Sequence, residues 1–241
     1  MKRGIDVSYA QGVIDWAKVA ADPQVEFAMI RATATYPHDG KKGVDLKWER
    51  NIKGAQANGV PVGVYHYSYA LTKEEAVKEA EHFLNTIKGY KLEYPVVFDF
   101  EDSTQNNLTP AQMADICVAW LEKVQAAGYY VMLYSMASWL KYKLTDNRLA
   151  GYDRWVAHAD VTEPMVEGGI WQYTWTGKVG GIQGDVDLNH AYKDYPTIIK
   201  AAGLNGWSKQ QTTDYKALYL AEKAAKEAAM AKLEKIADIL R

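Results

Sequence analysis

Eight apolar runs of strand length, most of them followed by a longer helical pattern, constrain this chain more than any other feature. The runs cover residues 4–7, 26–31, 61–67, 95–101, 129–135, 154–158, 169–175 and 185–188. Several are apolar almost throughout, as expected of strands buried on both faces. Helical periodicity fills 15–21, 45–58, 72–88, 109–127 and 137–144. The helix ends are marked by their own chemistry. Thr72-Lys-Glu-Glu75 is a capping box, and Thr109-Pro110 sets a cap before a first-turn proline. Asn58-Gly59 and Ala127-Gly128 stop their helices before the next strand. This alternation predicts an α/β fold, a TIM-like (β/α) barrel. Little helix separates the last three strands, so the barrel should be irregular.

Near Gly206 the character changes. Residues 214–241 are rich in Ala, Lys, Glu and Leu and contain no Gly or Pro. Leu218, Ala221, Ala225, Ala229, Leu233, Ile236 and Leu240 recur at spacings of three and four, which reads as one C-terminal α-helix. The domain reading is therefore a barrel over 1–206 and a helical extension over 207–241. The narrow apolar stripe predicts docking, on a second copy of the chain in preference to a groove of the barrel.

Composition removes several function classes. The chain carries 28 basic and 30 acidic residues, a net charge of −2, so no global positive field draws nucleic acid. No run approaches the roughly 18 apolar residues of a membrane span. The lone cysteine, Cys117, forms no internal disulfide and sits in a helical apolar stretch, where a buried thiol is expected. The five histidines show no close metal-binding pair, and no metal or cofactor is expected. Thr176-Gly-Lys-Val-Gly-Gly-Ile-Gln-Gly184 lacks the ending of a phosphate loop and reads as a turn. Met1-Lys-Arg-Gly-Ile-Asp6 leads into no long apolar run, so no secretory signal is read.

Polar residues gather where the strands end. Asp6, Arg31, His66 with Tyr67, Asp99 with Glu101, Tyr134 and His158 close the first six. Gln172 lies in the seventh, and Asp185 and Asp187 bracket the eighth. In barrels this rim carries catalysis, because the loops after the strands converge there. A carboxylate inside an apolar strand is costly to bury unpaired, so it needs a partner or a purpose. Asp99 and Glu101, two residues apart, lie on the same side of a strand with α-carbons roughly 6.6 Å apart. Mutual repulsion should raise one of their pKa values. A carboxyl that keeps its proton at neutral pH can protonate a glycosidic oxygen. The structural alternative is a pair of strand-end acids bonded to loop amides or to Arg31. Asp6 and Asp187 at the same rim favour the functional reading.

Gly4-Ile-Asp-Val-Ser8, Ile30-Arg-Ala-Thr33, Pro61-Val-Gly-Val-Tyr-His66, Val97-Phe-Asp-Phe-Glu101, Trp171-Gln-Tyr173 and Gly184-Asp-Val-Asp-Leu-Asn189 occur in this order. As an ordered set they resemble the lysozyme-type glycoside hydrolases of family 25, the Chalaropsis-type muramidases of phage endolysins and bacterial wall enzymes. The resemblance implies a modified barrel that cleaves between N-acetylmuramic acid and N-acetylglucosamine in bacterial peptidoglycan. It makes Glu101 the general acid, with Asp99, Asp6 and Asp187 as supporting acids. Tyr65, Tyr67 and Tyr134 resemble the aromatic residues around the substrate, and Arg31 and Trp171 are further candidate contacts. The chain departs from the family pattern at Ala34-Thr35, where an acidic residue is common. The resemblance also implies action on the cell wall, after release from the cytoplasm or after secretion with its signal removed. A non-catalytic carbohydrate-binding barrel is the alternative, but binding alone does not require four acids. A metal-dependent barrel hydrolase is a third, and the missing histidine pair counts against it.

Overall fold

The computed structural model describes residues 1–35 and 42–209. The helix read over 214–241, and the docking inferred for it, lie outside the described residues.

The chain opens with β1 (Lys2–Val7), α1 (Trp16–Ala21), β2 (Phe27–Thr35) and a short β3 (Lys42–Val44). It continues with α2 (Trp48–Ala57), β4 (Val62–Tyr67), α3 (Lys73–Ile87), β5 (Val96–Asp99) and α4 (Pro110–Ala126). β6 (Val131–Met136), α5 (Ala137–Tyr142), β7 (Asp153–Ala157), β8 (Ile170–Gly177), β9 (Val186–Ala191) and α6 (Tyr195–Ala202) complete it. The strands run in the order β1-β9-β8-β7-β6-β5-β4-β2, and β1 pairs with β2 to close an eight-stranded barrel. All eight strands read from the apolar runs are present. The sequence did not signal β3, which hairpins onto β2, or α6.

The irregularity has a definite place. Neighbouring strands run parallel from β1 through β2 and β4 to β8, but β9 is antiparallel to both β8 and β1. No helix lies between β8 and β9, so the chain turns straight back. The start of β9 therefore lies at the rim where the other strands end.

Alternation along the strands divides the core in two. Phe27, Met29, Tyr65, Val97, Met132, Trp155 and Ile170 fill the barrel interior. Val64, Val96, Phe98 and Leu133 face outward onto Phe83, Trp120 and the other apolar faces of the helices. Gly4 on β1 is required by this packing: a β-carbon there would lie 2.5 Å from the Phe27 ring. Phe27 stacks on Tyr94 at 4.3 Å and fills the lower barrel. The two expected caps are both formed, Thr72 with Glu75 and Thr109 with Gln112. Cys117 is buried in α4, as its apolar surroundings predicted. His66 faces out of the barrel, bonded to Thr33 at 2.7 Å and beside Glu79 at 3.1 Å, a hydrogen-bonded core histidine. Packing of the barrel runs on to Trp207, whose ring lies under Lys91 and Lys200 and whose Nε1 donates to Leu92 O.

Candidate active site

The interior of the barrel becomes polar at one end. Gly4 and Asp6 on β1, Tyr65 and Tyr67 on β4, Val97 and Asp99 on β5 and Met132 and Tyr134 on β6 step inward with a period of two. Glu101 continues that face one step beyond β5. β9 arrives from the opposite direction, so Asp187 near its start pairs directly with Asp6 near the end of β1. All four predicted acids meet at this mouth. Asp185 does not: it is exposed and pairs with Lys178 at 2.6 Å.

Two side-chain amides organise the acids. Asp6 Oδ2 accepts hydrogen bonds from Asn189 Nδ2 at 2.7 Å and Gln172 Nε2 at 2.9 Å. Gln172 Nε2 also lies 3.4 Å from Asp187 Oδ2. Each amide is held by donors on its oxygen. Trp155 Nε1 donates to Asn189 Oδ1 at 2.7 Å, and Tyr134 Oη and Trp175 Nε1 donate to Gln172 Oε1 at 2.9 and 3.0 Å. Turning either amide over would set oxygen against carboxylate and N–H against N–H, so the donors face Asp6.

The acids differ in how tightly they hold their protons. Burial pushes Glu101 up to about 7, and the nearby charges of Asp6 and Asp102 add to the effect. Asp187 rises to about 8 through burial, the charge of Asp6 and a hydrogen bond that it donates to Asp6. Asp6 is also raised by burial, and the bonds from Asn189, Gln172 and Asp187 oppose the rise. Asp99 is held well above the ordinary range by burial and by the charges of Glu101 and Asp6, with Arg31 opposing. Its Oδ1 is buried and accepts no hydrogen bond among the described residues. Such an oxygen favours a ligand that brings a donor.

The remaining predicted residues divide. Tyr65 and Tyr134 are buried beside the acids, each edge-on to Trp155. Tyr67 lies at the rim and donates to Asp102 Oδ2 at 3.1 Å. Arg31 reaches the rim with two nitrogens 2.8 Å from Asp45 Oδ2 and its guanidinium 4.8 Å from the centre of the Tyr9 ring. The structure does not bring Trp171 to the mouth. Gln172 points in, so its neighbour points out: Trp171 packs against Tyr173 and His190, and its Nε1 donates to His158 O. Sequence reasoning missed Asp45, Asp102, Asn189, Tyr9 and Trp175. Asn189 had a readable signal, the period-two pattern Asp187-Leu-Asn189. Among the described residues no three His, Cys, Asp or Glu side chains are grouped to hold a metal ion.

Residues 5–182 match the family described as glycosyl hydrolases family 25. The chain belongs to that family. It is thus a glycoside hydrolase, with the family resemblance read from its motifs borne out. An uncharacterised protein, YegX, from Escherichia coli K12 is 33% identical over 198 residues, covering 77% of this chain and 68% of YegX. Lysozyme M1 of Streptomyces globisporus is 30% identical over 202 residues, covering 78% of this chain and 66% of its own. The crystal structure of the bacterial lysozyme from Streptomyces coelicolor superposes with a TM-score of 0.71 at 29% identity, covering 83% of this chain and 96% of that one.

Proposed function

We propose that this family 25 hydrolase is a muramidase. It cleaves the β-1,4 bond between N-acetylmuramic acid and N-acetylglucosamine in bacterial peptidoglycan, with Glu101 as general acid. The observation that carries the reading is Glu101 itself: a carboxyl at the barrel mouth, raised to about 7, that keeps a proton close to neutral pH. The similarity to two lysozymes supports a cell-wall substrate.

Glu101 gives its proton to the glycosidic oxygen as the bond to the anomeric carbon breaks. The 2-acetamido oxygen of the same sugar attacks that carbon, and the Asp99 carboxyl holds the acetamido N–H on its open Oδ1. Water then adds its hydroxyl to the anomeric carbon and returns a proton to Glu101. Substrate-assisted routes of this kind are known among glycoside hydrolases. The Asp6–Asp187 pair keeps one negative charge beside the positive charge that develops on the sugar. Residues 1–206 form the catalytic domain in this proposal.

Mass spectrometry of digested cell wall tests the proposal. Fragments ending in reducing N-acetylmuramic acid are expected. Fragments ending in reducing N-acetylglucosamine, or released peptides alone, would overturn it.

A further inference from the structure

Strict alternation from Gln172 would put Trp175 on the outer face of β8 with Trp171 and Tyr173. The register against β9 prevents this. Gln172 pairs with Asn189, Thr174 with Leu188 and Gly177 with Val186, so β8 carries an extra residue at two places. The first bulge sets two β8 residues against one of β9 and reverses which side each later side chain takes, as bulges do. Asp187, between Val186 and Leu188, is consequently faced by the Trp175–Thr176 stretch. Trp175 Nε1 reaches in to Gln172 Oε1 at 3.0 Å, one amide away from both Asp6 and Asp187. The rest of the indole stays out: the residue is 44% exposed, and no ring pairs with it among the described residues.

An indole pinned by its N–H edge with its apolar face open to water is prepared to receive something. β8 and β4 stand four strands apart in a ring of eight, so Trp175 and Tyr67 belong to strands on opposite sides of the mouth. A glycan crossing the mouth would meet one ring on either side of the reacting bond.

We propose that Trp175 is a stacking platform for the sugar on the Asp6–Asp187 side of the cleavage point. The inference rests on the muramidase reading. A pyranose offers a face of C–H groups, and an immobilised indole covers it at little cost in conformational entropy. The same N–H bond steadies Gln172, so the residue has two separable contributions.

The test uses a soluble tetrasaccharide of alternating N-acetylglucosamine and N-acetylmuramic acid. Its binding is measured by calorimetry in a Glu101→Gln background, and kcat and KM are measured with Glu101 intact. Trp175→Leu removes the ring, whereas Trp175→Phe keeps a ring and removes the N–H; circular dichroism checks that both fold. Trp175→Leu should weaken binding about 5- to 20-fold and raise KM in proportion, the range for covering one face of an indole. Trp175→Phe should retain most of the binding and lose kcat. Equal binding by both variants and the parent, with kcat alone reduced, would overturn the platform and leave only an anchor for Gln172. A parent that binds the tetrasaccharide without cleaving it overturns the muramidase reading alone; one that does not bind it overturns both.

Discussion

Glu101→Gln removes a titrating proton and changes almost nothing in shape. Its consequences can be worked from the burial of the site. In the unfolded chain Glu101 titrates near its ordinary 4.5, and in the folded protein near about 7. The folded state thus holds the proton more tightly. Below about pH 4.5 the group is neutral in both states, and the variant and wild type are equally stable. Between about pH 4.5 and pH 7 the unfolded chain has released this proton while the folded protein still holds it, so wild type loses stability that the Glu101→Gln variant keeps, and the loss is complete once pH has passed the folded value. A shift from 4.5 to about 7, at about 1.4 kcal/mol per unit, sets a ceiling of about 3.5 kcal/mol. Glu101 is partly open to solvent, so roughly 1–3 kcal/mol is expected. In a domain of this size that corresponds to roughly 2–12 °C in Tm. Thermal unfolding followed by circular dichroism between pH 4 and pH 8 should show a gap that opens with pH in favour of the variant. Initial rates of wall clearing should meanwhile fall at least roughly 100-fold. Wild-type activity should decline above about pH 7, as the acid loses its proton. A Tm gap of constant size across this range, or near-normal turnover by the folded variant, would refute the reasoning.

Other perturbations separate the remaining parts of the site. Substrate assistance requires the acetyl group, so wall glycan N-deacetylated at muramic acid should be cleaved far more slowly; equal rates, or a trapped adduct on Asp99, would exclude it. Asn189→Ala removes one donor from Asp6 and orphans Trp155 Nε1, so kcat should fall roughly 10-fold or more and stability by about 1–3 kcal/mol in urea unfolding. Clearing should be unchanged by EDTA, since the proposed chemistry uses carboxyls and the substrate's own amide; loss on chelation and recovery with a divalent ion would favour a metal-dependent hydrolase. Self-association through 207–241 predicts that the full chain sediments as an oligomer and that a protein ending at Lys209 sediments as a monomer; equal monomeric masses would exclude it. Ending at Lys209 retains Trp207, which packs on Lys91 and Lys200.

What could be read from the residues alone was whatever depends on near neighbours in the chain. Strand-length apolar runs, capping residues and helical periodicity are local, and they sufficed for eight strands and an irregular barrel. Period two put Asp99 and Glu101 on one face, and their place at a strand end put them at the rim, because both facts follow from the pleat of a single strand. The same logic would have separated Trp171 from Gln172. It carried less far where the decisive contact spans the chain. Asp6 is bonded by Gln172 and Asn189, more than a hundred and sixty residues away, and no local pattern shows which amide will face which acid. The antiparallel course of β9 is set by pairing with both β1 and β8, and it alone turns Asp187 toward Asp6. Arg31 could have been assigned to the acids or to substrate; the fold brings Asp45 to it. Trp175 was invisible because a bulge is a mismatch between two strands and is written in neither one. The proton on Glu101 is likewise a tertiary property. Its cause is the loss of water around a carboxyl when the barrel closes, with the Asp6 charge arriving from another strand.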